Sequence, residues 1–245
     1  MNSDALILAL AERLGLIVAG AFLLLTITPI HKMRLRTGPA WRSTLLQILF
    51  FGAAGILGTY GGNLVSQSVA NLRAMAVITG GLFGGPIVGI ASGLIAGGHR
   101  ILIDIGGFSA VPCGLSTMIE GAAAGLLTLY LKERSVDWRW AAGLALAGET
   151  MHMGMVLLLS HSFAEAVELV RIIAAPMIIL NTVGAAAFVQ VINVVFRYRA
   201  RQDSVQAQEI LDIANSTVSH LRSGLTPESA MATARIIHAR VAVGA

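Results

Sequence analysis

Charge is scarce in this chain. Asp, Glu, Lys and Arg together make up 12% of the residues, about half the share of a soluble domain, and the mean hydropathy is +0.76. That excludes an ordinary soluble domain and implies an all-α polytopic membrane protein with a short polar tail. Cysteine is scarcer still. Cys113 stands alone, which excludes an intrachain disulfide and a multi-cysteine metal site. A cleavable signal peptide is also missing, because Asp4, Glu12 and Arg13 replace its basic start and unbroken apolar core. The formal net charge is +4. Its basic residues gather in loops, where they read as orientation signals and not as a nucleic-acid footprint, so no nucleic acid is expected as a partner.

The apolar runs and the loops between them set a topology. Runs are found at about 5–30, 44–62, 114–131, 140–160 and 172–196. Loop 31–43 carries Lys32, Arg34, Arg36 and Arg42. Loop 132–139 carries Lys132, Arg134 and Arg139, and 197–201 carries Arg197, Arg199 and Arg201. By the positive-inside rule these three loops are cytoplasmic. The N-terminus and the loops 63–71 and 161–171 then lie outside, and the tail from Arg197 lies in the cytoplasm. Such a protein is expected in a membrane as a multi-pass protein.

Between residues 71 and 132 the chain must cross an odd number of times. A second feature shows how. Arg73 and Arg100 bracket 26 residues without a single Asp, Glu, Lys or Arg, and Pro86 lies near the middle. A reversal at Gly84-Gly85-Pro86 makes three crossings of this region and brings both guanidinium groups to one depth on the outer side. Each half of that hairpin is about 21 Å long at about 1.5 Å per residue, short of the roughly 30 Å hydrocarbon core. Bent backbone at such depth survives only when protein packs against it. Gly85, Gly89, Gly93 and Gly97 supply a stripe of small residues for that contact. The expectation is six to seven transmembrane helical segments, with seven when both halves of the Gly-Gly-Pro hairpin are counted.

Charged residues at the edge of an apolar stretch are costly and mark candidate sites. Arg73, Arg100, Cys113 and Ser116 all fall at the outer end in this topology, with Cys113 and Ser116 three apart on one helix face. An Arg fork matches a carboxylate in a bidentate way, and a helix N-terminus adds a positive dipole end. The four together suit a small carboxylate, with the thiol and hydroxyl free for a second polar group such as a keto oxygen. Each also has a plainer reading: snorkelling for an Arg, packing for Cys113, capping for Ser116. Glu120, one turn beyond Ser116, could hold either arginine.

Other polar residues lie deeper. Glu149 and His152 share a face near the midplane of their segment. A buried hydrogen-bonded pair is the main reading, with a proton-linked or gating pair as the other. Two ligands are too few to name a metal, and no metal or other cofactor is expected. Asn181 and Thr182 suit interhelical hydrogen bonds. The segment 162–170 (SFAEAVELV) reads as a short amphipathic helix on the outer surface, with Glu165 and Glu168 facing water.

Past Arg197 the composition turns polar. Ala207, Ile210, Ala214, Thr217 and Leu221 form a weak seam over 202–221, which fits either a parallel signalling helix in a dimer or a lone amphipathic helix. Ser223-Gly224 stops it. Thr226-Pro227 restarts a helix with Thr as N-cap. The apolar alternation from Arg240 to the end has no partner, and the chain is expected to be a truncation of something longer. Four regions follow: 1–43, a first transmembrane helix and basic loop; 44–196, the main membrane domain; 197–224, a cytoplasmic signalling helix; and 225–245, the start of a cytoplasmic domain.

The order and spacing of several motifs resemble the LytS-YhcK-type five-transmembrane receptor domain (5TMR-LYT). They are Asn71-Leu72-Arg73, the run from Gly80 to Gly89, Gly98-His99-Arg100, Ser116 to Gly121, Glu149-Thr150-Met151, Ala174 to Met177, and Asn181 to Gly184. The resemblance covers about 44–196, and the tail resembles the lead-in to a GAF domain. It implies the membrane input of a bacterial sensor histidine kinase in a two-component system, or of a diguanylate cyclase, without catalysis in this chain. A homodimer and a cognate response regulator would be its protein partners. In the pyruvate-sensing, BtsS-like branch, two arginines, a cysteine and a serine bind the ligand, and they fall here on Arg73, Arg100, Cys113 and Ser116. Asn71, Glu120, Glu149, His152 and Asn181 are candidates for support or signalling. The stretch from Arg100 to Cys113 is longer than in that branch, and His152 replaces a neutral polar residue. The Gly-Gly-Pro stretch also resembles the substrate-binding membrane subunits of energy-coupling transporters, which leaves a transport role as the rival.

Overall fold

The computed structural model describes residues 3–27, 40–65, 68–131, 136–222, 224 and 226–241. The basic loop at 31–39, Lys132 with Arg134, and the last part of the apolar alternation at 242–245 lie outside the described residues. The elements are α1 (Ser3–Ile27), α2 (Ala40–Tyr60), β1 (Asn63–Val65), β2 (Ser68–Ala70), α3 (Arg73–Leu102), α4 (Ala110–Leu131), α5 (Trp138–Leu159), α6 (Phe163–Leu221) and α7 (Pro227–Val241). Among the described residues, five helices are long and apolar enough to cross a membrane: Trp41–Tyr60, Arg73–Leu102, Ala110–Leu131, Trp138–Leu159 and Phe163–Val218. The protein is therefore an all-α polytopic membrane protein with additional helices. The chain divides into a unit of residues 1–195 and a unit of residues 196–245.

The first unit buries polar side chains within an apolar core and exposes large apolar ones. Arg73, Arg100, Glu120, Glu149, His152 and Asn181 are buried, whereas Leu45, Leu49, Leu57, Leu129 and Leu158 are exposed. This is the distribution that a lipid surrounding imposes, because hydrocarbon accepts exposed Leu but not an unpaired polar group. On α1, Leu6, Leu10 and Leu14 recur every four residues and are buried, forming one inward stripe. A Cβ on Gly184 of α6 would lie 2.8 Å from Leu14 and 2.9 Å from the Met75 sulfur, so α1, α3 and α6 meet there.

Close packing centres on α3. Gly85 takes φ 78°, ψ −167°, which interrupts the helix at the position where the sequence places a turn. That conformation is nearly closed to residues with a Cβ. Pro86 follows as the first residue of the second half, where its missing N–H costs nothing. A Cβ on Gly89 would lie 3.0 Å from the Gly81 Cα, although eight residues of straight helix span about 12 Å. A Cβ on Gly55 of α2 would touch both Val77 and Ala96, one from each half.

α4 lies against the second half of α3 in antiparallel fashion. A Cβ at Gly97 would meet the Gly114 carbonyl, one at Gly93 the Met118 backbone, and one at Gly89 the Gly121 carbonyl. A Cβ at Gly125 would meet the Gly85 carbonyl and the Pro86 backbone. Backbone rests on backbone, which only small residues allow.

Three features differ from the sequence reading. The uncharged loop 63–71 holds a two-stranded antiparallel hairpin, pairing Asn63 with Ala70, Leu64 with Val69 and Val65 with Ser68. Arg13 of α1 donates hydrogen bonds to the carbonyls of Gly61, at 2.6 Å, and Gly62 beside this hairpin. The segment 162–170 is not a separate surface helix. It is the first part of α6, although Glu165 and Glu168 are exposed as expected. The run 172–196 and the polar helix beyond Arg197 are likewise one helix, which neither Pro176 nor Gly184 interrupts. In the second unit, Gly224 has φ 100°. Thr226 and Ser229 then exchange side-chain-to-backbone hydrogen bonds at 2.9 and 3.2 Å at the start of α7, a capping-box arrangement.

Candidate functional site

The site is assembled where α3 starts, its second half ends and α4 begins. Asn71 prepares the first of these points. Its side-chain amide donates to the Val69 carbonyl at 2.8 Å, and its side-chain oxygen accepts the Arg73 N–H at 3.1 Å. Asn181 of α6 secures the same turn from the other side. It donates to the Asn71 carbonyl at 3.0 Å and accepts the Met75 N–H at 3.4 Å. The strand β2 and the first turn of α3 are thereby tied to α6.

Arg73 is 1% exposed. Its Nε donates to Thr117 Oγ1 at 3.3 Å, Nη1 to Thr59 Oγ1 at 3.3 Å, and Nη2 to the Cys113 carbonyl at 3.4 Å. All three acceptors are neutral and all three bonds are long. Among the described residues it has no ion pair. Arg100 is fully buried. Its Nη1 forms a 2.9 Å ion pair with Asp104, one helical turn on, and Nη2 donates to Ser109 Oγ at 3.4 Å. Its Nε is buried without a partner. Ser109 is in turn bonded to Ser68 of β2 at 2.6 Å. The β-hairpin therefore reaches the Arg100 group through a serine pair.

Cys113 lies in the first turn of α4. Its side chain is buried and interacts most strongly with His152, then with Arg73 and Arg100. Its carbonyl is crowded, since it accepts from Ser116 Oγ at 3.0 Å and Thr117 Oγ1 at 3.0 Å besides Arg73. The Ser116 hydroxyl is thus turned back onto its own helix. Arg73, Arg100 and Cys113 are gathered together, and Ser116 is one turn along α4 from Cys113.

Glu120 pairs with neither arginine among the described residues. It belongs to a buried group with Glu149 and His152, whose donor atoms all lie within 4.8 Å of one another, and the contact of His152 with the Cys113 thiol joins this group to the arginines. His152 Nδ1 lies 3.2 Å from Glu149 Oε2. The buried hydrogen-bonded pair read from the spacing on α5 is therefore present, with a third member from α4.

Thr59, Ser109, Thr117 and Asp104 take part in the site without being singled out by sequence. Only Asp104 carries a readable signal, the opposite charge four residues from Arg100 on one helix. The hydroxyls have none, because their role exists only once three elements meet.

A family model described as the 5TMR of 5TMR-LYT matches residues 27–195. The chain belongs to the 5TMR-LYT family. This 5TMR-LYT domain is 32% identical over 251 residues to the Sensor protein LytS of Bacillus subtilis (strain 168), covering 95% of this chain and 42% of the relative. It is 33% identical over 202 residues to the Sensor histidine kinase BtsS of Escherichia coli (strain K12), covering 80% of this chain and 36% of the relative. The Sensor protein LytS of Enterococcus faecalis is similar at 33% identity over 251 residues. The chain thus spans about two fifths of the length of these relatives. The family match is to a sensor domain and includes no kinase catalytic domain. No solved structure matches it.

Proposed function

We propose that this 5TMR-LYT domain is the transmembrane input of a two-component sensor histidine kinase, and that it binds a small extracellular carboxylate, pyruvate first among candidates. The observation that carries this reading is Arg73. A guanidinium 1% exposed, with three long bonds to neutral oxygens and no ion pair among the described residues, is electrostatically unfinished. A carboxylate would finish it, because charge-assisted forked bonds are the strong ones. The free Nε of Arg100 adds a second donor. Cys113 and Ser116 sit beside them to meet a keto oxygen once the Ser116 hydroxyl leaves the Cys113 carbonyl. The relatives, a sensor protein and a sensor histidine kinase by name, support the signalling part of the reading.

In this reading α3 is a hairpin that enters from the outer face and returns to it, with Gly84-Gly85-Pro86 as its turn. The positive φ of Gly85 and the approach of Gly81 to Gly89 support it. Counting its halves separately, and adding α1, makes seven segments. The N-terminus is outside the bacterial cytoplasmic membrane and the tail inside. Ligand binding shifts an equilibrium between two packings of α3 against α4 and α6, and it can do so only by binding one of them better. The tail helix carries the change to a kinase part and its response regulator, as a homodimer.

The test is pyruvate binding to the purified chain by calorimetry. Arg73→Ala and Arg100→Ala should each weaken binding by about 10-fold or more, the effect of losing a charge-assisted hydrogen bond. Equal pyruvate binding by wild type and both variants would sink the reading.

A further inference from the structure

We propose that Glu120, Glu149 and His152 form a binding site for a first-row divalent transition ion, Zn²⁺ being the probe of choice, in the interior of the helix bundle. The donor set is one carboxylate from α4 and a Glu-x-x-His pair from α5. Inward carboxylates joined by a Glu-x-x-His pair on a neighbouring helix are a recurrent way for helix bundles to hold metal.

Three independent observations converge on this position. All three side chains are nearly inaccessible, with 4%, 1% and 2% of their surface exposed. Two carboxylates in such a place need cations, and buried charges in proteins are either paired or bound to metal. Among the described residues Arg73 makes no ion pair with them and Arg100 is spent on Asp104, which leaves His152 beside Glu149 as their one partner able to carry positive charge.

Second, a polar atom is left over. Among the described residues Glu120 Oε1 is buried without a hydrogen-bond partner, whereas the His152 ring meets the Cys113 thiol as well as Glu149. A buried acceptor left unpaired is costly, so Glu120 calls for something to occupy it.

Third, room has been kept for the carboxylate. A Cβ on Gly148 would come within 2.9 Å of the Glu120 side chain. Any larger residue one position before Glu149 would push Glu120 out of the group.

The donor atoms lie within 4.8 Å of one another. A tetrahedral Zn²⁺ with bonds of about 2.1 Å holds its donors about 3.4 Å apart, so side-chain rotation of about 1 Å closes the cage. Three protein ligands leave a fourth position open, as in sites where zinc binds a further small molecule. The ion would also neutralise both carboxylates and leave the Arg73 charge for an anion. The site itself does not depend on the carboxylate-sensing reading, since it can be measured without any organic ligand.

The experiment uses the full chain in detergent, purified with a tag that contains no histidine. The protein is loaded with Zn²⁺, freed of excess by gel filtration and measured by elemental analysis. About one ion per chain is expected. Glu149→Gln and His152→Asn should each bring this below about one tenth of an ion per chain while the helical circular dichroism is kept. His161→Asn, an exposed histidine, should leave it unchanged. Co²⁺ loading should give visible d–d absorption that disappears in Glu120→Gln. Wild-type protein that retains no Zn²⁺, or that retains it equally in the triple variant Glu120→Gln/Glu149→Gln/His152→Asn, would overturn the proposal. In the first outcome the carboxylates share protons. In the second the ion is adventitious. Loss of pyruvate binding with zinc binding intact would count against the sensing reading alone.

Discussion

At the scale of single residues, charge and hydroxyl groups behave differently as signals. Arg73 and Arg100 are visible in the sequence because they interrupt a stretch of 26 uncharged residues. In lipid such a side chain demands a reason. Thr59, Ser109 and Thr117 are not visible, because hydroxyls are common in helices and can bond to their own backbone anywhere. Their place around the guanidinium groups depends on α2, α3 and α4 meeting. Asn181 stands between these cases: a buried amide predicts an interhelical bond, but not that the bond would fasten the turn carrying Arg73. Asn181→Leu should lower stability in detergent by about 1–3 kcal/mol, since it strands the Met75 N–H and the Asn71 carbonyl. It should also weaken pyruvate binding, because Arg73 follows that turn. A thermal melt and a titration on the same sample check both effects, and unchanged values in both would refute the assigned role.

At the scale of elements, glycine decides more than hydrophobicity. Periodicity shows little here, since all faces of a membrane helix are apolar and lipid does not reward a polar face. The stripe Gly85, Gly89, Gly93, Gly97 is readable as a packing surface. Its partner, Gly114, Gly121 and Gly125 on α4, emerges only from the antiparallel match. Gly89→Ala should destabilise the domain by about 1–3 kcal/mol, because the new methyl meets the Gly121 carbonyl and cannot push a backbone aside. Gly143→Ala, with nothing within 4 Å, should be tolerated or slightly stabilising through helix propensity. Comparing melting temperatures of the two variants in one detergent checks the pair. The segment 162–170 departs from its sequence reading for a related reason. Its amphipathic pattern is genuine, but a pattern records which face is wet and not where a helix begins, so its fusion into α6 stayed hidden. The β-hairpin at 63–70 was missed because three-residue strands are too short for an alternation to stand out.

At the scale of the whole molecule, the two units differ in kind. The first buries Arg73, Arg100, Glu120 and Glu149 and exposes many leucines. The second carries Val205, Ile210 and Leu211 exposed on an otherwise polar helix, and of these Ile210 belongs to the weak seam with Ala207 and Ala214. If the tail pairs with its own kind in parallel, Ile210→Cys should give disulfide-linked dimers in membranes under mild oxidation. Wild type should give none, because Cys113 is buried. Absence of cross-linking at 210 would remove the tail as a dimer contact.

The sequence by itself determined the solvent of this protein, its helical class, its candidate orientation and the residues that cannot be idle in a membrane. Those are consequences of composition, of loop charge and of the cost of burying a guanidinium. Tertiary structure decided how the polar residues are shared out: Arg100 to Asp104, Arg73 to neutral hydroxyls and a carbonyl, Glu120 to Glu149 and His152. Sequence shows that charges must be satisfied. Which partner satisfies each is set by distance, and distance between helices is set by how closely glycine lets their backbones approach.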